Sequence, residues 1–125
     1  MSSINSMIIK EKISIKNLKL FLDEDDVIID CIKQGMVEHT INECNVTSVN
    51  GKIKSGLISY MDKSRFKSAE LNNQEILKAS GNFKCNYNDF CGKLNVFTAG
   101  RKPLSGSLTK GIAQQDFEII LRFIQ

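Results

Sequence analysis

Six cations stand where their spacing could do chemistry: Lys52 with Lys54, Lys84 with Lys93, and Arg101 with Lys102. That chemistry is electrostatic capture of an anion or a nucleic-acid backbone, since a lysine or arginine recognises phosphate without needing a second catalytic group. Lys52 and Lys54 share one side of a β-type run with Asn45 and Thr47. Lys84 and Lys93 oppose one another in the hairpin that the surrounding pattern implies, and like charges so placed either hold an anion between them or splay into water. Arg101 and Lys102 open a glycine- and hydroxyl-rich stretch, 100–111, that also contains Ser105, Ser107, Thr109 and Lys110. Its spacing is not that of a P-loop, which ends in Gly-Lys-Ser/Thr at the start of a helix.

Reactive constellations are missing. The cysteines Cys31, Cys44, Cys85 and Cys91 form no Cys-x-x-Cys pair, and with the lone His39 they match no zinc spacing, so neither a metal nor a cofactor is expected. His39, between Val37 and Ile41, reads as a residue on an apolar strand face, and nothing signals a Cys-His nucleophile. Asp23, Glu24, Asp25, Asp26 and Asp30 lack the glycine and terminal glutamate of a calcium loop. They read as a solvated turn, with weak cation binding or pairing with a basic neighbour as the alternatives. No catalytic residue is assigned, and the chain is expected not to be an enzyme.

The net charge of +3 conceals a segregation. Residues 1–44 hold 5 basic and 8 acidic groups, residues 45–110 hold 11 and 4, and the last segment, 111–125, holds 1 and 2. A basic middle and an acidic start suit an anionic partner or head-to-tail contact between copies. No secretory signal or long apolar run is present, which predicts a cytoplasmic protein without a membrane span; export by a route needing no signal would leave no mark here. Asn45-Val46-Thr47 is a glycosylation sequon that only export would make usable.

As for the elements that must carry these residues, the 125 residues fit one globular domain. Residues 1–6 are expected to be disordered and 99–111 to be a mobile loop. An edge strand is predicted over Ile8 to Ile15, with Leu18 to Leu22 either continuing it or forming a helical turn, then strands at Val27 to Lys33 and Met36 to Ile41 around a Gln34-Gly35 turn. Asn50-Gly51 predicts a type I′ hairpin pairing Val49 with Lys52. Asn72-Asn73-Gln74-Glu75 has the form of a capping box, and with Gly81 it predicts a short helix. Residues 82–97 predict a hairpin turning at Asn88-Asp89, which would bury Phe83, Cys85, Tyr87, Phe90, Leu94 and Val96 and expose Asn82, Lys84, Asn86, Cys91, Lys93 and Asn95. Phe117 to Ile124 reads as a central strand, although a helix also fits.

The fold class expected is mainly β, an antiparallel β-sandwich or barrel of six to seven strands with one short α-helix. The function expected is that of a non-enzymatic assembly or adaptor subunit acting through protein-protein contacts, with a ring- or tube-forming component as the specific form. The alternative is a sequence-nonspecific nucleic-acid or anion-binding module using the six cations. A small enzyme comes third.

Overall fold

The computed structural model describes residues 14–87, 89–100 and 103–124. Among them seven strands form one antiparallel sheet: β1 (Ile15–Leu22), β2 (Glu43–Asn50), β3 (Lys52–Asp62), β4 (Arg65–Asn86), β5 (Asp89–Thr98), β6 (Ser105–Ala113) and β7 (Phe117–Ile124). One helix among the described residues, α1 (Ile28–Glu38), packs against the inner face. The strand order is β1-β7-β2-β4-β3-β6-β5, and β5 also pairs with β4, so β3, β4, β5 and β6 make a closed circuit. The predicted class therefore holds, in the form of one sheet that closes on itself at one end. The core gathers Ile28, Ile32 and Met36 of the helix with Phe83, Phe117 and Leu121, none more than 1% exposed. Each such side chain contributes roughly 1.5–3 kcal/mol by leaving water.

The 22-residue strand β4 organises the rest. Glu43 lies opposite Lys84 and Lys52 opposite Glu75, the same offset on either side of a gap in the ladder between Val46–Gly81 and Lys52–Glu75. The chain therefore runs straight past Asn50-Gly51, and β2 followed by β3 lines a single edge of β4. The expected type I′ hairpin does not form. Gly51 is needed for another reason: a Cβ there would come within 2.4 Å of the Phe117 ring, and its φ is +151°.

Two other expectations exchange places. Val27 to Lys33 and Met36 to Ile41, read as strands, contain helix α1, whose buried Ile28, Ile32 and Met36 repeat at the spacing of one helical face. Gly35 lets that helix approach β1, since a Cβ would meet Leu20 at 2.8 Å. The helix stops without glycine: Thr40 takes φ 55°, while the amide of Ile41 donates to Met36 and that of Thr40 to Val37, a Schellman arrangement. His39 is the exposed C-cap of the helix rather than a strand residue.

Conversely, 72–81 is strand. Glu75 pairs with Lys52 and Ser80 with Asn95, and a ladder of long-range partners outweighs a local capping pattern. The stretch read as a mobile loop is largely β6, where Gly106 and Gly111 serve close packing; a Cβ on Gly106 would reach the Ser59 carbonyl at 2.5 Å. Arg101, Lys102, the expected disorder of 1–6 and most of the Ile8 to Ile15 strand lie outside the described residues. Phe117 to Ile124 is the interior strand expected, between β1 and β2.

In the 82–97 hairpin, Asn86 pairs with Asp89, so Phe83 faces Gly92 and Lys84 faces Cys91. The register differs from expectation by two residues along the ladder, and an even shift preserves which side chains share a face. Phe83, Cys85, Leu94 and Val96 are buried, and Lys84, Cys91, Lys93 and Asn95 are exposed, as expected. Tyr87 departs: it occupies the turn at φ 56° and is fully exposed.

Candidate contact sites: a polar face, an apolar arm and a groove

The described candidate cations are separated by the fold. Lys54 is committed, with its Nζ 2.7 Å from Asp25 Oδ1 and 3.4 Å from Glu24 Oε1. The hydrogen bond to Asp25 raises its pKa. The acidic turn that carries those carboxylates is pinned to β6 by paired backbone bonds at 2.9 Å between Asp25, Asp26 and Ala113. The acidic cluster is thus the partner of a basic neighbour. Lys52 stands opposite Glu75. Its partner Glu75 lies nine positions along β4 from Lys84.

Lys84 and Lys93 remain on the outer face of the sheet. Lys84 faces Cys91 and Lys93 faces Asn82, so the lysines are diagonal neighbours roughly 7 Å apart rather than directly opposed. The strain expected between them is correspondingly relieved. Around them the register assembles a row that no single strand reveals: Asn17 pairs with Arg122, Arg122 with Asn45, Asn45 with Asn82, and Asn82 with Lys93. All five side chains are exposed. The Asn82 amide donates to Asn45 Oδ1 at 2.9 Å and to Glu43 Oε1 at 3.4 Å, which fixes its orientation. Arg122 and the three asparagines escape sequence reading because their neighbours lie far off in the chain.

The β3–β4 hairpin projects as an arm. Its last partners in β6 pair at Ser59 with Ser107, beyond which Tyr60 to Lys67 form a two-stranded ribbon. The turn uses Lys63 and Ser64 at φ 48° and 67°, two non-glycine residues in the left-handed region. On one side of the ribbon Met61 pairs with Phe66, and they are 58% and 82% exposed. On the other, Lys67 binds Asp62 at 2.8 Å.

Further along β4 an open groove of about 450 Å³ runs between β2, β4 and β5. Val49 and Val96 form its buried floor, and Leu77 and Phe97, 54% and 37% exposed, stand at its rim. Leu77 projects because a bulge between Ile76 and Lys78 releases it from the ladder.

Of the cysteines, Cys44 and Cys85 are buried, Cys31 is half-buried and Cys91 is exposed, all as free thiols. Burial, assisted by the neighbouring Glu43, pushes the Cys44 thiol up to about 11. Burial and then Asp26, Asp30 and Asp23 raise that of Cys31. Neither is activated as a nucleophile.

No protein-family model matches the chain, and no curated protein matches it. Solved structures do. A metal-containing protein from Archaeoglobus fulgidus is 19% identical, with TM-score 0.76 over 96% of this chain and 86% of that one. A plant- and prokaryote-conserved (PPC) protein from Pyrococcus horikoshii is 17% identical, with TM-score 0.75 over 94% and 85%. A candidate DNA-binding protein from Bacteroides thetaiotaomicron is 14% identical, with TM-score 0.72 over 90% and 85%. At these identities the likeness is one of fold. Among the described residues no helix is long and apolar enough to cross a membrane.

Proposed function

We propose that this chain is a non-enzymatic assembly subunit whose copies join head to tail, the Met61–Phe66 arm of one seated in the Val49–Leu77–Val96–Phe97 groove of the next. The observation that carries this reading is an apolar projection at the start of β4 and, further along the same strand, a recess of mixed lining with the apolar side chains Val49, Val96, Leu77 and Phe97 at its floor and rim. Phe66 precedes Leu77 by a contour of up to about 36 Å, along a strand paired with β3 near its start and with β2 near its end. No residue of the arm lines the groove. A contact between different patches repeats from copy to copy, closing as a ring if the rotation allows and otherwise growing as a tube or filament. Sedimentation at low and high micromolar protein tests it: assembly that rises with concentration and is lost in Phe66→Glu supports the reading, and a strict monomer at both concentrations removes it.

A second reading, contact with nucleic acid, is favoured by the row of exposed amides and cations on the outer face. The candidate DNA-binding description of one fold neighbour is compatible with it. Retention on immobilised DNA at low salt that collapses at moderate salt tests that reading.

A further inference from the structure

We infer that the row Asn17, Arg122, Asn45, Asn82 and Lys93 is a track for the sugar-phosphate backbone of a nucleic acid, binding without regard to base sequence. The inference rests on the second reading and assigns it a place and a mode. The row crosses five adjacent strands, β1, β7, β2, β4 and β5, each residue the direct cross-strand partner of the next. Strand spacing of about 4.8 Å makes it roughly 19 Å long. Arg122 and Lys93 lie three strands apart, near 14 Å, about the axial rise of four nucleotides along one duplex strand. Cations at that separation neutralise separate phosphates, and the Asn45 amide between them keeps its N–H groups for an intervening oxygen. The N–H groups of the Asn82 amide are engaged by Asn45 Oδ1 and Glu43 Oε1, so Asn82 sets the orientation of Asn45 and does not itself donate to a ligand.

The composition of the row also sets its limits. It contains no aromatic ring, and the stacked pair of this region, Phe83 and Phe90, lies on the inner face with ring centroids 5.4 Å apart. Base stacking, the main source of single-strand affinity beyond charge, is therefore not available within it. Binding should be dominated by counterion release and be indifferent to base identity. Lys84 in the adjacent row, across from Glu43, adds field without extending the track.

The test is fluorescence anisotropy of the full chain with labelled oligothymidine, and separately with a mixed-sequence duplex, from about 50 to about 200 mM salt. Arg122→Ser and Lys93→Ser should each reduce the salt slope by about 0.7 on the single strand or about 0.9 on the duplex. Asn82→Asp, which places a carboxylate in mid-row, should lower affinity at least about tenfold. Lys33→Ser, on the exposed side of the helix, is the control and should leave the slope unchanged. Equal losses for Lys33→Ser and Lys93→Ser would overturn the track while leaving nucleic-acid binding intact, and no binding of either probe at low salt would overturn both. Loss confined to one probe identifies whether the track takes single or paired strands.

Discussion

Phe66 and Phe83 lie on the same strand, 17 positions apart, and meet opposite fates. Phe83 is 1% exposed and stacks on Phe90 beneath the helix-covered face, whereas Phe66 is 82% exposed at the end of an arm beyond the reach of β6. Residue type does not separate them; the number of layers over the strand does. Near its end β4 has β2 on one side, β5 on the other and the core beneath. Near its start, among the described residues, it has β3 alone. One end of the strand commits its aromatic side chain to folding, and the other leaves it available for contact.

That contrast is most severely tested by removing each ring. Phe83→Ala should destabilise the fold by about 3–5 kcal/mol, from lost transfer energy and the cavity left behind, read as a lower urea midpoint. Phe66→Ser should change the midpoint by under about 1 kcal/mol, the range of one exposed cross-strand pair, while abolishing association. Equal costs would erase the distinction between the two ends.

The buried end should also carry an alkaline signature. Cys44, the direct partner of Phe83, keeps its proton in the folded chain up to about 11 against an ordinary 9.0. Above the ordinary value the unfolded chain loses this proton first, so folding stability falls as pH rises between the two values, by on the order of 2 kcal/mol. Comparing the urea midpoints of the native chain and Cys44→Ala near pH 8 and near pH 10.5 isolates this group from other titrations. The native chain should lose more stability over that interval. A smaller effect is expected on the polar face, where Lys84→Ser and Lys93→Ser should move stability by no more than about 0.5 kcal/mol.

What the sequence disclosed follows the same division. Face membership in 82–97 was legible because period-two alternation survives a two-residue shift in register, even though the turn itself lay earlier than Asn88-Asp89. The strand Phe117 to Ile124 was legible from its β-branched and aromatic content. The helix at Ile28 was hidden by a run of isoleucines without a side-chain N-cap, and its end by a threonine doing glycine's work. Asn50-Gly51 and 72–81 misled for a shared reason: each carries a strong local signal, and each is overruled by partners tens of residues away along β4. The cations suffered likewise. Lys52 and Lys54 looked like companions of Lys84 and Lys93, yet Lys54 is bound by Asp25, and the residues that do accompany Lys93 come from other strands.

The central claim, that the arm of one copy occupies the groove of another, is tested most directly by a charge exchange across the contact. Phe66→Glu and Leu77→Lys are made separately and together, and each chain is sedimented at high micromolar concentration. The account predicts that either substitution alone gives monomers and that the double variant reassembles, because the introduced carboxylate on the arm of one copy then meets the introduced ammonium at the groove of the next. A double variant that stays monomeric while its parent assembles, or single variants that assemble unchanged, would contradict it.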